Sequence, residues 1–474
     1  MTDSIFTIAS EVRSGARTAA STVEASLNAI AARDAELHAF LYVDDLGARA
    51  AAIVVDTAVE AGCDPGPLAG VPFALKDNLC VRGVATTCGS KILNGWKPPY
   101  TATVIERLVA AGAIPIGKTN LDEFAMGSST ENSAFGPSRN PHDPSKVPGG
   151  SSGGSAVAVA AGYVPVALGS DTGGSIRQPA AFCGLVGYKP TYGHVSRYGL
   201  VAFSSSLDQI GPFTNTVADA ALISSVICGH DPADSTSLAD GYPDLLGALG
   251  RGVAGLRVGL CSDLLNGADD EIVAQVRAAA QVLAAAGAEI VDIAIPELRL
   301  GLSAYYLLAP AEASSNLARY DGVRFGLRVE RDDVAAMNVA TRTAGFGDEV
   351  KRRIMLGTYA LSAGYYDAYY GQAQKTRRLI TNALDAAYGS VDVLLGATTP
   401  TTAFGFGDKV ADPMSMYLSD LFTIPTNLAG HPALSVPFGV GATGMPIGVQ
   451  ILAPGRKDDL LFQVGAVLEN GAPA

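Results

Sequence analysis

The sequence contains few residues of the kinds that commonly hold metals or carry out redox chemistry. Only five histidines and one tryptophan occur among 474 residues, and none of the six cysteines lies in a Cys-x-x-Cys pair. Zinc clusters and thioredoxin-like redox motifs are often built on such pairs, so this pattern argues against both. Isolated cysteines are instead typical of free thiols in a reducing compartment.

Positive charge is also scarce. The chain has 33 lysines and arginines against 46 aspartates and glutamates, for a formal net charge of −13. Affinity for nucleic acid comes largely from lysine and arginine contacts to phosphates, so this chain is poorly suited to bind RNA by itself. If the protein acts on RNA, we expect a partner to make most of the phosphate contacts.

Long apolar runs are missing as well. The longest, residues 156–169, includes Gly162 and Pro165 and is shorter than the roughly 20 residues that a membrane-spanning helix needs. The N-terminus, Met-Thr-Asp-Ser-Ile, lacks the basic start and apolar core of a secretory signal. We therefore expect a cytoplasmic protein with no membrane association.

Apolar runs bounded by turn residues alternate with helical patterns along the chain. They predict strands at 71–76, 114–116, 165–168, 256–260, 288–293, 391–395 and 433–437. Such alternation predicts an α/β fold, with a mixed β-sheet covered by helices on both faces. We expect one continuous domain overall, in which residues 1–65 form a helical segment packed on a main domain of residues 66–474.

Residues 112–119, Gly-Ala-Ile-Pro-Ile-Gly-Lys-Thr, match the pattern of a phosphate-binding loop. Such a loop needs flexible residues between a strand and a helix, so that its N–H groups converge on the phosphate. Here the intervening residues are apolar and include Pro115, which has no N–H. We interpret this segment as a strand, preceded by a helix that ends at Gly112.

Ser151 lies in a Gly-x-Ser-x-Gly pattern, which resembles the nucleophile elbow of α/β-hydrolases. An elbow directly follows a strand, whereas residues 142–148 contain two prolines and look like a loop. An elbow also needs a late histidine, and none of His194, His230 and His431 has a distinctive setting. The pattern therefore does not indicate an elbow.

Ser151 and Ser175 each lie in a glycine-rich stretch, Pro-Gly-Gly-Ser-Ser-Gly-Gly-Ser and Asp-Thr-Gly-Gly-Ser-Ile-Arg. Glycine allows close approach of the backbone to a ligand, and N–H groups in such turns can bind an oxyanion. A serine nucleophile needs an adjacent base. Lys76 is a candidate because burial disfavours the charged amine, but the sequence equally allows a surface lysine paired with Asp77.

The motifs around Lys76, Ser151 and Ser175 together resemble those of the amidase signature family, in the order and spacing of that family. The resemblance implies that Ser175 is the nucleophile, that neutral Lys76 is the base, and that Ser151 relays the proton between them. It also implies a cis peptide bond between Gly150 and Ser151. The implied oxyanion-hole N–H groups are those of Thr172, Gly173, Gly174 and Ser175.

Other segments resemble one branch of this family, the glutamine-hydrolysing subunits of tRNA-dependent amidotransferases. These segments are residues 124–133, 189–193, 205–209, 312–317, 349–357 and 364–370. The branch implies that Arg353 binds the α-carboxylate of glutamine and Asp420 its α-ammonium, although Arg353 could equally lie on a solvated helix face. The further implied contacts are Ser128, Ser129 and a tyrosine of the pair Tyr305 and Tyr306, of which we select Tyr306. One departure is His194, which stands where the branch usually carries arginine.

This resemblance also implies partners and an overall reaction. The chain is expected to belong to a heterotrimeric ligase, in which a partner B subunit binds tRNA and uses ATP and Mg²⁺, and a small C subunit clasps this chain. Ammonia from glutamine would convert Glu-tRNA(Gln) to Gln-tRNA(Gln), with Asp-tRNA(Asn) left open as a second substrate. No metal or cofactor is expected on this chain itself. The alternatives are a stand-alone amidase acting on small amides and a non-catalytic scaffold.

Overall fold

The computed structural model describes residues 3–473, which contain an eleven-stranded sheet. The strands are β1 (Phe40–Val43), β2 (Pro72–Lys76), β3 (Ile114–Thr119), β4 (Val166–Asp171), β5 (Val186–Lys189), β6 (Gln209–Thr214), β7 (Arg257–Cys261), β8 (Glu289–Ile293), β9 (Val393–Ala397), β10 (Ala433–Val440) and β11 (Pro446–Leu452). Their order in the sheet is β1-β3-β2-β4-β6-β5-β10-β11-β9-β7-β8.

Helices precede or follow most of the strands along the chain. They are α1 (Ile5–Arg13), α2 (Ala19–Leu37), α3 (Asp45–Glu60), α4 (Thr103–Ala110), α5 (Gly153–Ala160), α6 (Arg177–Cys183), α7 (Val217–Ile227), α8 (Leu245–Ala248), α9 (Asp270–Ala285), α10 (Gly301–Asn316), α11 (Val334–Gly345), α12 (Asp348–Ala360), α13 (Gln372–Ala387), α14 (Pro413–Tyr417), α15 (Ile424–Ala429) and α16 (Asp458–Gly471). No helix in the described part of the chain combines the length and apolar character needed to cross a membrane.

The sheet is mixed, as predicted. The pairs β2–β3, β2–β4, β7–β8 and β7–β9 are parallel, and the other pairs are antiparallel. Every residue of β2, β4, β9 and β11 is buried. Successive residues of a strand point to opposite faces, so these strands are covered on both faces.

All seven predicted strands are present, and β1, β5, β6 and β11 are additional. Residues 209–214 were not predicted as a strand because they contain Gly211 and Pro212, which are usually depleted in strand interiors. In the structure Pro212 is aligned with Leu168 of β4 in the centre of the sheet. A prediction based on strand propensity alone therefore misses strand β6.

The segment that matches a phosphate-binding loop is a strand, as we interpreted it. Strand β3 extends to Thr119 and so includes the lysine and threonine of the pattern. The Lys118 amine contacts Asp77, with 2.6 Å between Nζ and Oδ1. Gly112 follows α4 with φ of +90°, and a Cβ there would lie 2.3 Å from the Pro65 carbonyl oxygen.

The N-terminal segment is not helical throughout, which corrects part of our prediction. Residues 3–65 hold α1, α2 and α3, but between them β1 pairs antiparallel with β3. The run Phe-Leu-Tyr-Val is typical of a strand because aromatic and β-branched residues favour extended backbone. The helices share one apolar cluster with Phe73 and Ile114 of the main sheet. The predicted segments, 1–65 and 66–474, also include residues 1, 2 and 474, which lie outside the described residues.

Candidate active site

Two neighbouring parallel strands bring the central residues of the site together at the carboxyl ends of these strands. Strand β2 ends at Lys76, and β4 ends at Asp171, just before the Ser175 loop. The strands are in register, with Leu75 opposite Leu168. The carboxyl ends of parallel strands commonly carry the ligand site of an α/β protein.

Lys76 is completely buried, and its amine is surrounded by serine oxygens. Its Nζ lies 2.7 Å from Oγ of both Ser151 and Ser152, and 3.0 Å from Ser170 Oγ. Burial lowers the pKa of Lys76 to about 7, although nearby carboxylates, chiefly Asp122, act in the opposite direction. A surface lysine paired with Asp77 is thus excluded, and Asp77 pairs instead with Lys118.

The Ser151 loop has the conformation that the family resemblance implies. The peptide bond between Gly150 and Ser151 is cis. The Ser151 carbonyl accepts a hydrogen bond from the Asp122 N–H, and the Gly150 N–H donates to the Gln178 side chain. Ser151 follows a loop rather than a strand, so the elbow is excluded.

The Ser175 loop is held by a buried ion pair. Arg177 donates from Nε and Nη2 to the two carboxylate oxygens of Asp171, each at 3.0 Å. Burial opposes ionisation of Asp171, but the Arg177 guanidinium lowers the pKa of Asp171 to about 2. Gly174 has φ of +137°, and a Cβ there would lie 2.2 Å from Thr423 Oγ1, so a side chain would clash.

One member of the predicted oxyanion hole needs correction. The Gly174 N–H donates to Asp171 Oδ1 at 2.8 Å, so it is already committed within the loop. An oxyanion hole needs N–H groups that are directed at the substrate oxygen. The N–H groups of Thr172, Gly173 and Ser175 stay predicted donors.

Ser128 and Asp420, which are far apart in the sequence, lie together in the structure. The Ser128 hydroxyl donates to Asp420 Oδ2 at 2.5 Å. The other oxygen, Oδ1, is buried and has no hydrogen-bond partner among the described residues. Burial raises the pKa of Asp420 to about 7, although the Ser128 hydrogen bond and the Arg353 charge act in the opposite direction.

Arg353 is buried on α12 rather than exposed on a solvated face. Its guanidinium carbon lies 5.2, 5.3 and 5.7 Å from the ring centroids of Tyr306, Tyr417 and Phe203. These distances are typical of cation–π contacts. The solvated-face alternative is therefore wrong for Arg353, whereas the neighbouring Arg352 is exposed.

The two candidate tyrosines occupy different places. The Tyr305 ring lies against Gly173, because a Cβ at Gly173 would be 2.9 Å from the Tyr305 hydroxyl. The Tyr306 ring stacks on Tyr417 with centroids 3.9 Å apart, and its hydroxyl is buried with no partner in the described chain. The geometry thus associates Tyr306 with Arg353 and Tyr305 with the Ser175 loop.

A cavity of about 280 Å³ opens beside Arg353 and is lined in part by Ser129, Glu349 and Tyr417. Within residues 3–473, no group of three or more histidine, cysteine, aspartate or glutamate side chains is arranged to hold a metal ion. His194 contacts Asp458 and Tyr242, neither of which belongs to the predicted site.

Several residues of the site were missed by sequence reasoning. Ser152 and Ser170 contact the lysine, Asp171 and Arg177 hold the nucleophile loop, and Glu349 contacts Arg353. Ser152, Asp171 and Arg177 lie inside the quoted glycine-rich motifs, so those motifs contained a usable signal. Glu349 begins the segment 349–357 that resembles the glutamine-hydrolysing branch, and Ser170 directly precedes the Ser175 motif, but the roles of both residues are identified only by contact.

Comparison with known proteins agrees with this geometry. The family model described as Amidase matches residues 21–462. The A subunit of glutamyl-tRNA(Gln) amidotransferase from Synechococcus sp. (strain RCC307) is 57% identical over 463 residues, covering 97% of this chain and 96% of the relative. The protein of that name from Acidothermus cellulolyticus is 59% identical over 454 residues, covering 94% and 89% respectively.

A solved structure is also similar over nearly the whole chain. The crystal structure of the A subunit of glutamyl-tRNA(Gln) amidotransferase from Thermotoga maritima superposes with a TM-score of 0.81 at 43% identity, covering 96% of this chain and 92% of that one. The residues matched by the family model include Lys76, Ser151 and Ser175. This chain therefore belongs to the amidase signature family.

Proposed function

We propose that this protein is the glutamine-hydrolysing subunit of a tRNA-dependent amidotransferase and supplies ammonia for converting Glu-tRNA(Gln) to Gln-tRNA(Gln). The observation that carries the proposal is that a buried cation, Arg353, lies near enough to influence a buried carboxyl, Asp420, whose Oδ1 has no hydrogen-bond partner within residues 3–473. A free amino acid presents the complementary charges. Glutamine adds the carboxamide on which a serine nucleophile can act.

The hydrogen bonds around Lys76 indicate how the lysine acts as a base. Ser152 Oγ donates its one proton to the Ser170 carbonyl. The Ser152 hydroxyl must therefore accept a hydrogen bond from the Lys76 amine. Ser170 Oγ lies within hydrogen-bond distance of Nζ and also accepts from the Asn78 amide. A neutral amine has two N–H groups and one lone pair. If Ser152 and Ser170 take the two N–H groups, the lone pair faces the Ser151 hydroxyl.

In the proposed reaction, Ser175 Oγ bonds to the carboxamide carbon of glutamine. Its proton passes to Ser151, and the Ser151 proton passes to Lys76. The N–H groups of Thr172, Gly173 and Ser175 stabilise the negative oxygen. The carbon–nitrogen bond then breaks, the relay returns a proton to the leaving nitrogen, and ammonia departs. Water attacks the remaining glutamyl ester and releases glutamate.

The rest of the pocket holds the amino-acid end of glutamine. Arg353 binds the α-carboxylate, and Asp420 binds the α-ammonium through its free oxygen. The Tyr306 hydroxyl, which has no partner among the described residues, supplies a further hydrogen bond to the ligand. Ser128 orients Asp420.

The full amidotransfer requires two partners in this proposal. The larger partner binds tRNA and activates the mischarged glutamate with ATP and Mg²⁺, and the small partner clasps this chain. The proposed complex is a heterotrimer located in the cytoplasm. The net charge of −13 supports the assignment of tRNA contacts to a partner. The word "subunit" in the names of the relatives supports an assembly of several chains.

Replacing the nucleophile tests the proposal. In the complex with its partners, Ser175→Ala is expected to lower glutamate release by about 10³-fold or more, because the ester can no longer form. Amidation of mischarged tRNA from added ammonium salt should persist, since the partner site is untouched. Ser390→Ala, at an exposed serine, is the matched control.

Other outcomes would identify the alternatives. Undiminished glutamate release by Ser175→Ala would overturn the role of Ser175. Full glutamine-dependent amidation by the same variant would support a non-catalytic scaffold. Rapid hydrolysis of simple amides by the isolated chain, with no preference for glutamine, would identify a stand-alone amidase.

A further inference from the structure

We infer that Glu349 is a positioning residue that makes the site selective for substrates with an α-carboxylate, because it orients Arg353. This inference rests on the proposed glutaminase function. It concerns a residue that contacts the substrate-binding arginine, and no contact of Glu349 with substrate is required.

Glu349 and Arg353 lie one turn apart on α12 and form a partly buried ion pair. Glu349 Oε1 accepts from Arg353 Nε at 2.8 Å, and the two side chains are only 11% and 3% exposed. Residues four apart on a helix face the same way, so the helix itself sets this pairing. The guanidinium is a rigid planar group. A hydrogen bond at Nε therefore fixes the direction in which the two Nη groups point.

Glu349 is itself held in place by other residues. The Tyr417 hydroxyl donates to the same oxygen, Oε1, at 3.0 Å. The other oxygen, Oε2, accepts from Arg352. Both carboxylate oxygens are therefore occupied, and Glu349 is poorly placed to bind the substrate ammonium. That leaves this role to Asp420, whose Oδ1 is unpartnered within residues 3–473.

The surroundings of Arg353 leave one edge of its guanidinium available. Nε is committed to Glu349, and the rings of Tyr306, Tyr417 and Phe203 lie around the group. None of the described residues accepts a hydrogen bond from its two Nη groups. Arg353 also lines the cavity beside it. Two adjacent N–H donors match the two oxygens of a carboxylate.

The charges are consistent with this arrangement. An unpaired carboxylate beside the binding site would repel the α-carboxylate of a substrate. Here Glu349 is paired with Arg353 on one oxygen and with Arg352 on the other. Glu349 can therefore orient the arginine without leaving an uncompensated negative charge at the site.

A pair of substrates tests the inference in the complex with its partner subunits. Glutamine has the α-carboxylate, whereas 4-aminobutanamide keeps the amide and the ammonium but lacks that carboxylate. For Glu349→Ala, we expect the KM for glutamine to rise about 10- to 100-fold, the range for loss of a charge-assisted hydrogen bond, with little change in kcat. The kcat/KM for 4-aminobutanamide should stay within about twofold of the wild-type value because its binding does not use Arg353.

Three further variants keep the test specific. Glu349→Gln retains an oxygen that can accept from Arg353 Nε, so it should fall between wild type and Glu349→Ala. Tyr417→Phe removes the hydroxyl that holds Glu349 but keeps the ring, and should raise the KM for glutamine less than Glu349→Ala does. Glu330→Ala removes a carboxylate whose side chain is 73% exposed and which does not line this cavity, and is the matched control.

The outcomes separate this inference from the proposed function. If the wild-type complex does not hydrolyse glutamine, the proposed function fails, and this inference fails with it. If wild type prefers glutamine and Glu349→Ala keeps the same preference, only the role of Glu349 is overturned. An equal loss on both substrates would also overturn it, because that pattern indicates general structural damage.

Discussion

Lys76 illustrates how surroundings decide the chemistry of a single residue. An ordinary lysine has a pKa of about 10.4 and is charged at neutral pH. Here burial lowers the pKa of Lys76 to about 7, with three serine hydroxyls as its neighbours. A base whose pKa lies near the working pH is effective because much of it is in the unprotonated form.

The pH dependence of glutamine hydrolysis should report this shift. Protonated Lys76 has no lone pair, so kcat is expected to rise with pH as one proton is lost near pH 7, and then to level off. Asp420, whose pKa burial raises to about 7, must be ionised to bind the substrate ammonium, so kcat/KM should rise with a two-proton dependence. Stopped assays of glutamate release across this pH range measure both profiles.

The variant Asp420→Asn separates the two titrations. It should reduce the dependence of kcat/KM to one proton, since only Lys76 then titrates on the acid side. A kcat that is independent of pH between about 6 and 8 would contradict the assignment of Lys76 as the base.

At the residue scale, the motifs predicted the identities of the central residues but not their contacts. Lys76, Ser151 and Ser175 lie in recognisable local patterns. Ser170 contacts Lys76 across 94 residues of sequence, and its place beside the Ser175 motif does not predict that contact. The commitment of the Gly174 N–H to Asp171 is likewise visible only in the folded loop.

At the scale of elements, a short turn links the two halves of the site. The 3₁₀ turn Glu123–Ala125 follows Asp122, whose N–H donates to the Ser151 carbonyl. Glu123 Oε2 accepts from the N–H of Gly347, the residue just before α12, and its Oε1 accepts from Ser90. The turn thus connects the proton-relay loop to the helix that carries Arg353.

Removing the Glu123 carboxylate should destabilise this connection. Glu123→Ala leaves the Gly347 N–H without its acceptor and leaves the Ser90 hydroxyl with only the Gly345 carbonyl, and is expected to cost about 1–3 kcal/mol. The midpoint of urea unfolding should fall accordingly. Glu123→Gln should recover most of the loss, because its amide oxygen can still accept from Gly347.

A surface substitution provides the control for that experiment. Glu330→Ala removes a carboxylate whose side chain is 73% exposed, and should leave the midpoint nearly unchanged. Equal midpoints for wild type and Glu123→Ala would show that the turn does not depend on this carboxylate.

At the scale of the whole molecule, residues 3–65 are joined to the main sheet through β1 and a shared apolar cluster. Strand β1 forms one edge of the sheet by pairing with β3. Ile5, Val12 and Val23 are buried in the same apolar cluster as Phe73 of β2. Their burial removes apolar surface from water, which is the main favourable contribution to folding.

A chain that begins at residue 66 is therefore expected not to fold. The truncation would expose the edge of β3 and the apolar surface that α1, α2 and β1 cover, both of which favour aggregation. Circular dichroism and size-exclusion chromatography would detect the loss of secondary structure and of a compact folded chain.

Co-expression with residues 1–65 as a separate chain is the control, and should recover some soluble complex because the contacts are non-covalent. A monomeric truncated chain with cooperative unfolding would contradict this expectation and would show that the segment is dispensable for the fold.

The sequence by itself determined the fold class and seven of the strands, because local patterns of polarity and turn residues record them, and its motifs identified the site residues through their resemblance to the amidase signature family. Only the tertiary structure decided that Lys76 is buried, that Arg353 pairs with Glu349 and that β1 joins the sheet. It also decided which N–H groups of the Ser175 loop are already occupied. These properties depend on burial and on contacts made in the folded chain, which no local pattern records.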